Sequence, residues 1–192
     1  AATATSSVGT QQFASLMMQS VKAHGIPTHE MNLPKAMLGA RRSVYLAALE
    51  VFNRQCPDTA VVLTDSADAF VRCNATELRR RVVHRTQRVI ISAERSFSFQ
   101  GRQIQAWYDA RAADYALVSN RTPSLYRYPN VGGIAGRVRD VLLFMRLANA
   151  TEGPRPDMSW FTPWHDQAPI SEAIYNHGQK LAVGLDYDSE IF

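Results

Sequence analysis

The sequence predicts an α/β layer fold, a mostly parallel central sheet flanked by helices in the Rossmann manner, and three observations carry that expectation. Val61, Val62, Leu63 and Thr64 form an uncharged, strand-favouring run that suits a strand covered on both faces. A second such run, Arg88 to Glu94, is apolar and β-branched at its centre. Around these two, strand-like runs alternate with stretches whose apolar residues recur at helical spacing, the order that builds strand–helix–strand units.

Taken in order, Ala1 to Thr5 reads as the tail of a first strand, followed by a loop from Ser6 to Thr10. Phe13, Leu16, Met17 and Val21 then share a helix face, with Thr10 as the cap and His24-Gly25 as the stop before Pro27. This Met and Phe stripe is core packing. Thr28 to Leu33 forms a second strand, and after a loop a helix begins near Arg41 and ends at the turn Cys56-Pro57-Asp58. The central strand follows, then a helix from about Thr76 with Glu77 in its first turn.

Beyond the strand at Arg88 to Glu94, the segment Arg95 to Arg111 is aromatic-rich without a steady period. It reads as a long loop near the site, either a lid or an insertion with some aromatic packing. Tyr126 to Gly136 reads as a turn in which Gly132 and Gly133 admit close backbone approach. A helix from Arg137 to Asn149 carries Val138, Val141, Leu142, Met145 and Ala148 on one face. Thr151 to Pro163 is a connection, Trp164 to Gly178 holds another helix, and Leu181 to Leu185 is a last strand.

The bulk properties narrow the class. A chain of 192 residues that is 46% hydrophobic and 20% charged has room for one sizeable core, and one domain is expected over its whole length. No apolar run approaches a membrane span. The formal charge of +4 is modest, so Arg79-Arg80-Arg81 reads as a solvated helix face rather than a nucleic-acid site. Cys56 and Cys73 lie on either side of the central strand, and no disulfide is expected between them. Sequons at Asn74, Asn120 and Asn149 would permit glycosylation in a secretory compartment. The opening Ala-Ala-Thr-Ala-Thr looks like a piece of a longer chain, so the lack of a visible signal peptide carries little weight. There is no phosphate loop of Walker type, no dinucleotide glycine fingerprint and no zinc spacing.

The chemistry is concentrated where strands end. Asp65 and Asp68 follow the central strand directly, and a turn through Ser66-Ala67 lets two side chains converge that would face apart if the strand continued. Oxygen-only ligation of this kind suits manganese or magnesium. The plainer reading is that Asp65 ends the strand and Asp68 caps the next helix. Two other strands also finish on acids, one at Glu94 and one at Asp186-Tyr187-Asp188.

With those residues in place, the chain resembles the glycosyltransferase domain of procollagen lysyl hydroxylases. Leu63-Thr-Asp-Ser-Ala-Asp68, Ile91-Ser-Ala-Glu94, Asn130-Val-Gly-Gly133, Asp166-Gln167 and Leu185 to Phe192 stand in that family's order and spacing. The resemblance implies a GT-A fold that binds a UDP-sugar through a divalent metal, usually manganese. Carried across, Asp65 and Asp68 match the metal-binding aspartates, Thr3 a position near the uridine, and Asp166 the acidic stretch needed for activity. Asn130 with the backbone of Gly132 and Gly133 is expected to bind donor or acceptor hydroxyls. Two departures stand out. Trp164-His165-Asp166 replaces a run of aspartates, and Tyr187 replaces a metal-binding histidine, so the third contact is either lost, made by Tyr187 itself, or shifted to the neighbouring Asp186 or Asp188.

The resemblance therefore implies transfer of galactose or glucose from a UDP-hexose to a protein hydroxyl such as hydroxylysine in a collagen-like segment, in the lumen of the endoplasmic reticulum or Golgi. The departures motivate an alternative, a noncatalytic module that binds a nucleotide-sugar or a partner. A metal-independent hydrolase using paired carboxylates is a third reading.

Overall fold

The computed structural model describes residues 2–5, 11–32, 41–65, 73–96, 102–122, 124–150 and 167–192, except the side chains of 2–5, 11–16, 30–32, 41 and 65. In chain order the elements are β1 (Ala2–Thr5), α1 (Gln11–Ala23), β2 (His29–Asn32), α2 (Arg41–Gln55), β3 (Ala60–Asp65) and α3 (Ala75–Val83). They continue with β4 (Val89–Glu94), α4 (Arg102–Ser119), β5 (Tyr128–Arg137), α5 (Val138–Ala150), α6 (Gln167–Leu181) and β6 (Val183–Leu185).

The strands form one sheet of six in the order β2-β1-β3-β5-β4-β6. The expected mostly parallel sheet is corrected here to a mixed one. β1, β2 and β3 are parallel to one another, as are β4 and β6, but β5 runs antiparallel to β3 and β4 on its two sides. The cause lies in Tyr126 to Gly136, expected to be a turn. Its glycines masked a strand, because Gly136 pairs with both Val61 and Val89 in the middle of the sheet. A Cβ there would sit 2.5 Å from the Arg88 carbonyl oxygen, so only glycine lets the three strands close up.

Alternation along β3 divides the core between two faces. Val61 and Leu63 point toward α2, α5 and α6, where Tyr45, Leu49, Val141, Phe144, Met145 and Ile174 are buried. Ala60 and Val62 point the other way, toward Met17 and Val21 of α1 and Leu78 and Val82 of α3. Thus the Met stripe of α1 is indeed core. The helix ends where Gly25 takes φ +64°, with the Gly25 amide donating to the Lys22 carbonyl and Ile26 to Val21 at 3.1 and 3.0 Å. α3 is capped by Asn74, whose side chain accepts from the Glu77 amide at 2.9 Å.

A second expectation also changes. Residues 102–111 are helical, not loop, and belong to the 18-residue α4. Its buried positions are Tyr108, Ala112 and Ala116, at four-residue spacing. Because α4 holds further alanines at 106, 110 and 113, hydrophobicity along the sequence does not single out that face. Cys56 and Cys73 are free thiols. Among the described residues no helix is long and apolar enough to cross a membrane.

Candidate functional site

Parallel strands bring their carboxyl ends to one edge of the sheet, the edge at which open α/β sheets place ligands. Thr64 of β3 pairs with Gly133 of β5, and Ala4 of β1 pairs with Asp65, so Thr3, Asp65 and the Asn130 to Gly133 segment lie along that edge. The ladder between β4 and β5 is interrupted there. Ile91 pairs with Ile134 but the next residue, Ser92, pairs with Asn130, so residues 131–133 bulge from the ladder. Asn130 holds the bulge with its own side chain, which accepts from the Gly132 amide at 2.7 Å. Ser92 donates to the Asn130 carbonyl at 2.7 Å.

Beside this bulge three of the sequence motifs meet. Glu94 ends β4, and one of its carboxylate oxygens accepts from the side-chain amide of Gln167, the first residue of α6. The same amide nitrogen donates to the Pro129 carbonyl at 2.8 Å. The Asn130 amide nitrogen stands 3.5 Å from the other Glu94 oxygen, at the long limit of a hydrogen bond, so it can re-pair with an incoming hydroxyl. Burial raises the Glu94 carboxyl above its ordinary 4.5, and the Gln167 bond opposes that rise. The result is a partly buried carboxylate and two carboxamides directed at one place, groups suited to hydrogen-bonding sugar hydroxyls.

Glu94 was visible in the sequence as one of the strand-ending acids but had no assigned role. Its signal was position alone, and β5 lies between its strand and β3, so the two acid-ended strands are not adjacent. Asp166, the residue before Gln167, lies outside the described residues, as does Asp68. The backbones of Thr3 and Asp65 are placed but their side chains are not described. Gly132 donates its amide within the bulge, and the space above Gly133 is filled by the ring of Phe192, 2.5 Å from where a Cβ would stand. The close approach that Gly133 permits is therefore to the chain's own tail.

The third set of acids is arranged differently. Asp186 follows β6 and is buried, and its carboxylate accepts from the backbone amides of Glu190, Ile191 and Phe192 at 3.2, 2.8 and 3.0 Å. Arg85 approaches it at 3.6 Å and also pairs with Glu190. The tail turns over this carboxylate, with Ser189 at φ 51°. Tyr187 points toward α4, its ring 4.9 Å from that of Tyr115, and burial pushes its phenol up to about 12. Asp188 accepts from the Tyr115 hydroxyl at 2.5 Å and pairs with Arg121 at 2.7 Å.

These facts bear on the expected metal set. Asp186 and Tyr187 do not fit the ligand role, since the carboxylate is turned onto three amides and the phenol stays protonated at neutral pH. Three strand spacings, roughly 14 Å, also separate β6 from β3 in the sheet. The tail recrosses part of that distance with Phe192 rather than with either expected ligand. Among the described residues no group of three or more His, Cys, Asp or Glu is placed to hold a metal ion.

No family model matches the chain, and no curated protein matches it. A solved structure does. It is described as the crystal structure of a glycosyltransferase involved in the glycosylation of the major capsid of PBCV-1, and it aligns over 96% of this chain and 80% of its own with a TM-score of 0.53. Identity is 12%, so the likeness is one of fold: this chain has a glycosyltransferase-like fold.

Proposed function

We propose that this chain is a glycosyltransferase of the GT-A type that moves galactose or glucose from a UDP-hexose to a protein hydroxyl, such as hydroxylysine in a collagen-like segment. The observation that supports this most is the meeting of Glu94, Asn130 and Gln167 at the carboxyl end of β4, in a chain folded like a glycosyltransferase. That the neighbouring protein is involved in glycosylating a capsid favours a protein acceptor.

In this reading Glu94 and the Asn130 amide bind sugar hydroxyls, exchanging their long mutual contact for bonds to the ligand. Gln167 holds the Glu94 carboxylate in its charged, accepting form, and Asp166, the preceding residue in the sequence, orients the acceptor hydroxyl. Thr3 lies near the uridine. A divalent ion such as manganese would be held by Asp65 and Asp68, without Asp186 or Tyr187, and would supply charge neutralisation for the departing diphosphate. The secretory lumen is the proposed compartment, in keeping with the sequons.

The test is release of UDP from UDP-galactose and UDP-glucose, with manganese and a hydroxylysine peptide. We expect turnover that Asp68→Ala abolishes and Glu94→Gln lowers by about a hundredfold, the scale of one positioned polar group in the transition state. Turnover indifferent to both substitutions would remove the assignment.

The misfit of Asp186 and Tyr187 as metal ligands favours a second reading, a noncatalytic module that retains nucleotide-sugar binding. Calorimetric binding of UDP with no release of UDP from either sugar donor would select it.

A further inference from the structure

Glu94 is followed at once by an exposed cation, Arg95. Its guanidinium lies over the ring of Tyr126, 4.9 Å from the centroid, and its Nη2 donates to the Tyr126 hydroxyl at 3.3 Å. Among the described residues no carboxylate pairs with it.

A second arginine at the same place is engaged differently. The backbone amide of Arg127 donates to the Glu94 carbonyl at 3.1 Å, and its Nη1 pairs with Asp109 of α4 at 3.2 Å. The Tyr128 hydroxyl donates to the same Asp109 oxygen at 2.8 Å, and Tyr128 is the ladder partner of Glu94. Asp109 therefore ties α4 to the end of the β4–β5 ladder through Arg127 and Tyr128, not through Arg95.

Stacking engages only the flat face of a guanidinium. Its N–H groups point outward in the plane, so a stacked arginine keeps its fork for a carboxylate while the ring limits the positions it must give up on binding. Tyr126 is itself 38% exposed, so the pair faces solvent where the ladder ends. A carboxylate that accepts hydroxyls and a guanidinium suited to an anion thus stand on successive residues.

We propose that Arg95, held by Tyr126, selects acceptor peptides in which an aspartate or glutamate lies within about three residues of the accepting hydroxyl, roughly 10 Å along an extended chain. The inference rests on the transferase reading above and deepens it: Glu94, Asn130 and Gln167 serve the hydroxyls, and Arg95 reads the charge beside them. A lysine at the same acceptor position meets Arg95 as a like charge and is disfavoured.

The test uses three fluorescent peptides, each with one hydroxylysine and with glutamate, glutamine or lysine two residues after it. Each is titrated with the 192-residue chain in the presence of UDP and manganese, and binding is followed by anisotropy. We expect the glutamate peptide to bind about tenfold more tightly than the lysine peptide, the scale of one charge-assisted pair, with glutamine between them. The gap should narrow as salt is added. Arg95→Glu should invert the order, whereas Arg95→Lys and Tyr126→Leu should keep it at reduced size. Equal binding of the three peptides, failure of all three to bind, or an order that Arg95→Glu leaves unchanged would overturn the proposal. Release of UDP from UDP-galactose or UDP-glucose with the glutamine peptide tests the transferase reading separately. Preference without release removes that reading and leaves an acidic-peptide site standing, while release without preference removes the site alone.

Discussion

Two strands of this sheet lie side by side, run the same way and end on an acid, yet they put that acid to opposite uses. At the end of β4, Glu94 meets side-chain amides: Gln167 and, at 3.5 Å, Asn130. At the end of β6, Asp186 meets backbone amides, those of Glu190, Ile191 and Phe192. Side-chain partners can rotate toward a ligand at small cost, whereas backbone donors are released only by unfolding the turn they define. An acid at a strand end is thus available for chemistry only where its partners can change, and by that criterion Glu94 is the acid that suits the proposed site, whereas Asp186 belongs to the scaffold of the tail.

The contrast can be broken most sharply at Asp186. Asp186→Ala leaves three backbone amides without their acceptor, and hydrogen bonds to a charged group are worth about 1.5–3 kcal/mol each when made. We expect a loss on the order of 3 kcal/mol in urea unfolding, with rapid amide exchange at 190–192. A loss below about 1 kcal/mol would show that the tail does not depend on this carboxylate.

Gly133→Ala probes the other end of the same tail. The added methyl meets the Phe192 ring at 2.5 to 2.9 Å, so the ring must move, at a cost of about 1–2 kcal/mol typical of overpacking. Combining it with Phe192→Ala should recover most of that loss if the ring is the obstacle, as a double-mutant cycle would read.

At Glu94 the expected effects are smaller in stability and larger in titration. Gln167→Leu removes the one partner that lowers the Glu94 pKa, so that pKa rises further, followed by the carboxyl carbon shift in NMR. Loss of this bond costs about 1 kcal/mol near neutral pH. The sign of the pH dependence also separates this acid from the usual one. A folded-state pKa above 4.5 means that the group's contribution is fully present below that pH and is lost as pH rises through the folded value.

The smallest effect at neutral pH is expected for Tyr187→Phe, a few tenths of a kcal/mol. Its signature is alkaline. Burial raises the Tyr187 phenol from 10.0 to about 12, so its contribution is complete below 10 and fades as pH climbs toward 12. The phenylalanine variant should show a flatter stability curve across that window, and unchanged manganese binding if the tyrosine holds no metal.

Much of the fold was legible in the residues. The strands at Val61 to Thr64 and Arg88 to Glu94, the helix stripe of Val138 to Ala148 and the stop at Gly25 follow from alternation, periodicity and a glycine at positive φ, all local properties. The same holds for the motif residues Glu94, Asn130 and Gln167, which could be named in order though not in contact. What misled was local too: three glycines in β5 read as a turn, and a helix rich in alanine read as a loop.

By itself, then, the sequence determined the alternation of elements, the buried stripes and the supply of acids at strand ends, because each of those is set by neighbours within a few residues. Only the tertiary structure decided the antiparallel insertion of β5, the meeting of Glu94 with Gln167 across 73 positions, and the turning of Asp186 onto its own tail. Strand order and hydrogen-bond partners are settled by which surfaces pack together, and packing joins residues whose separation along the chain leaves no local trace.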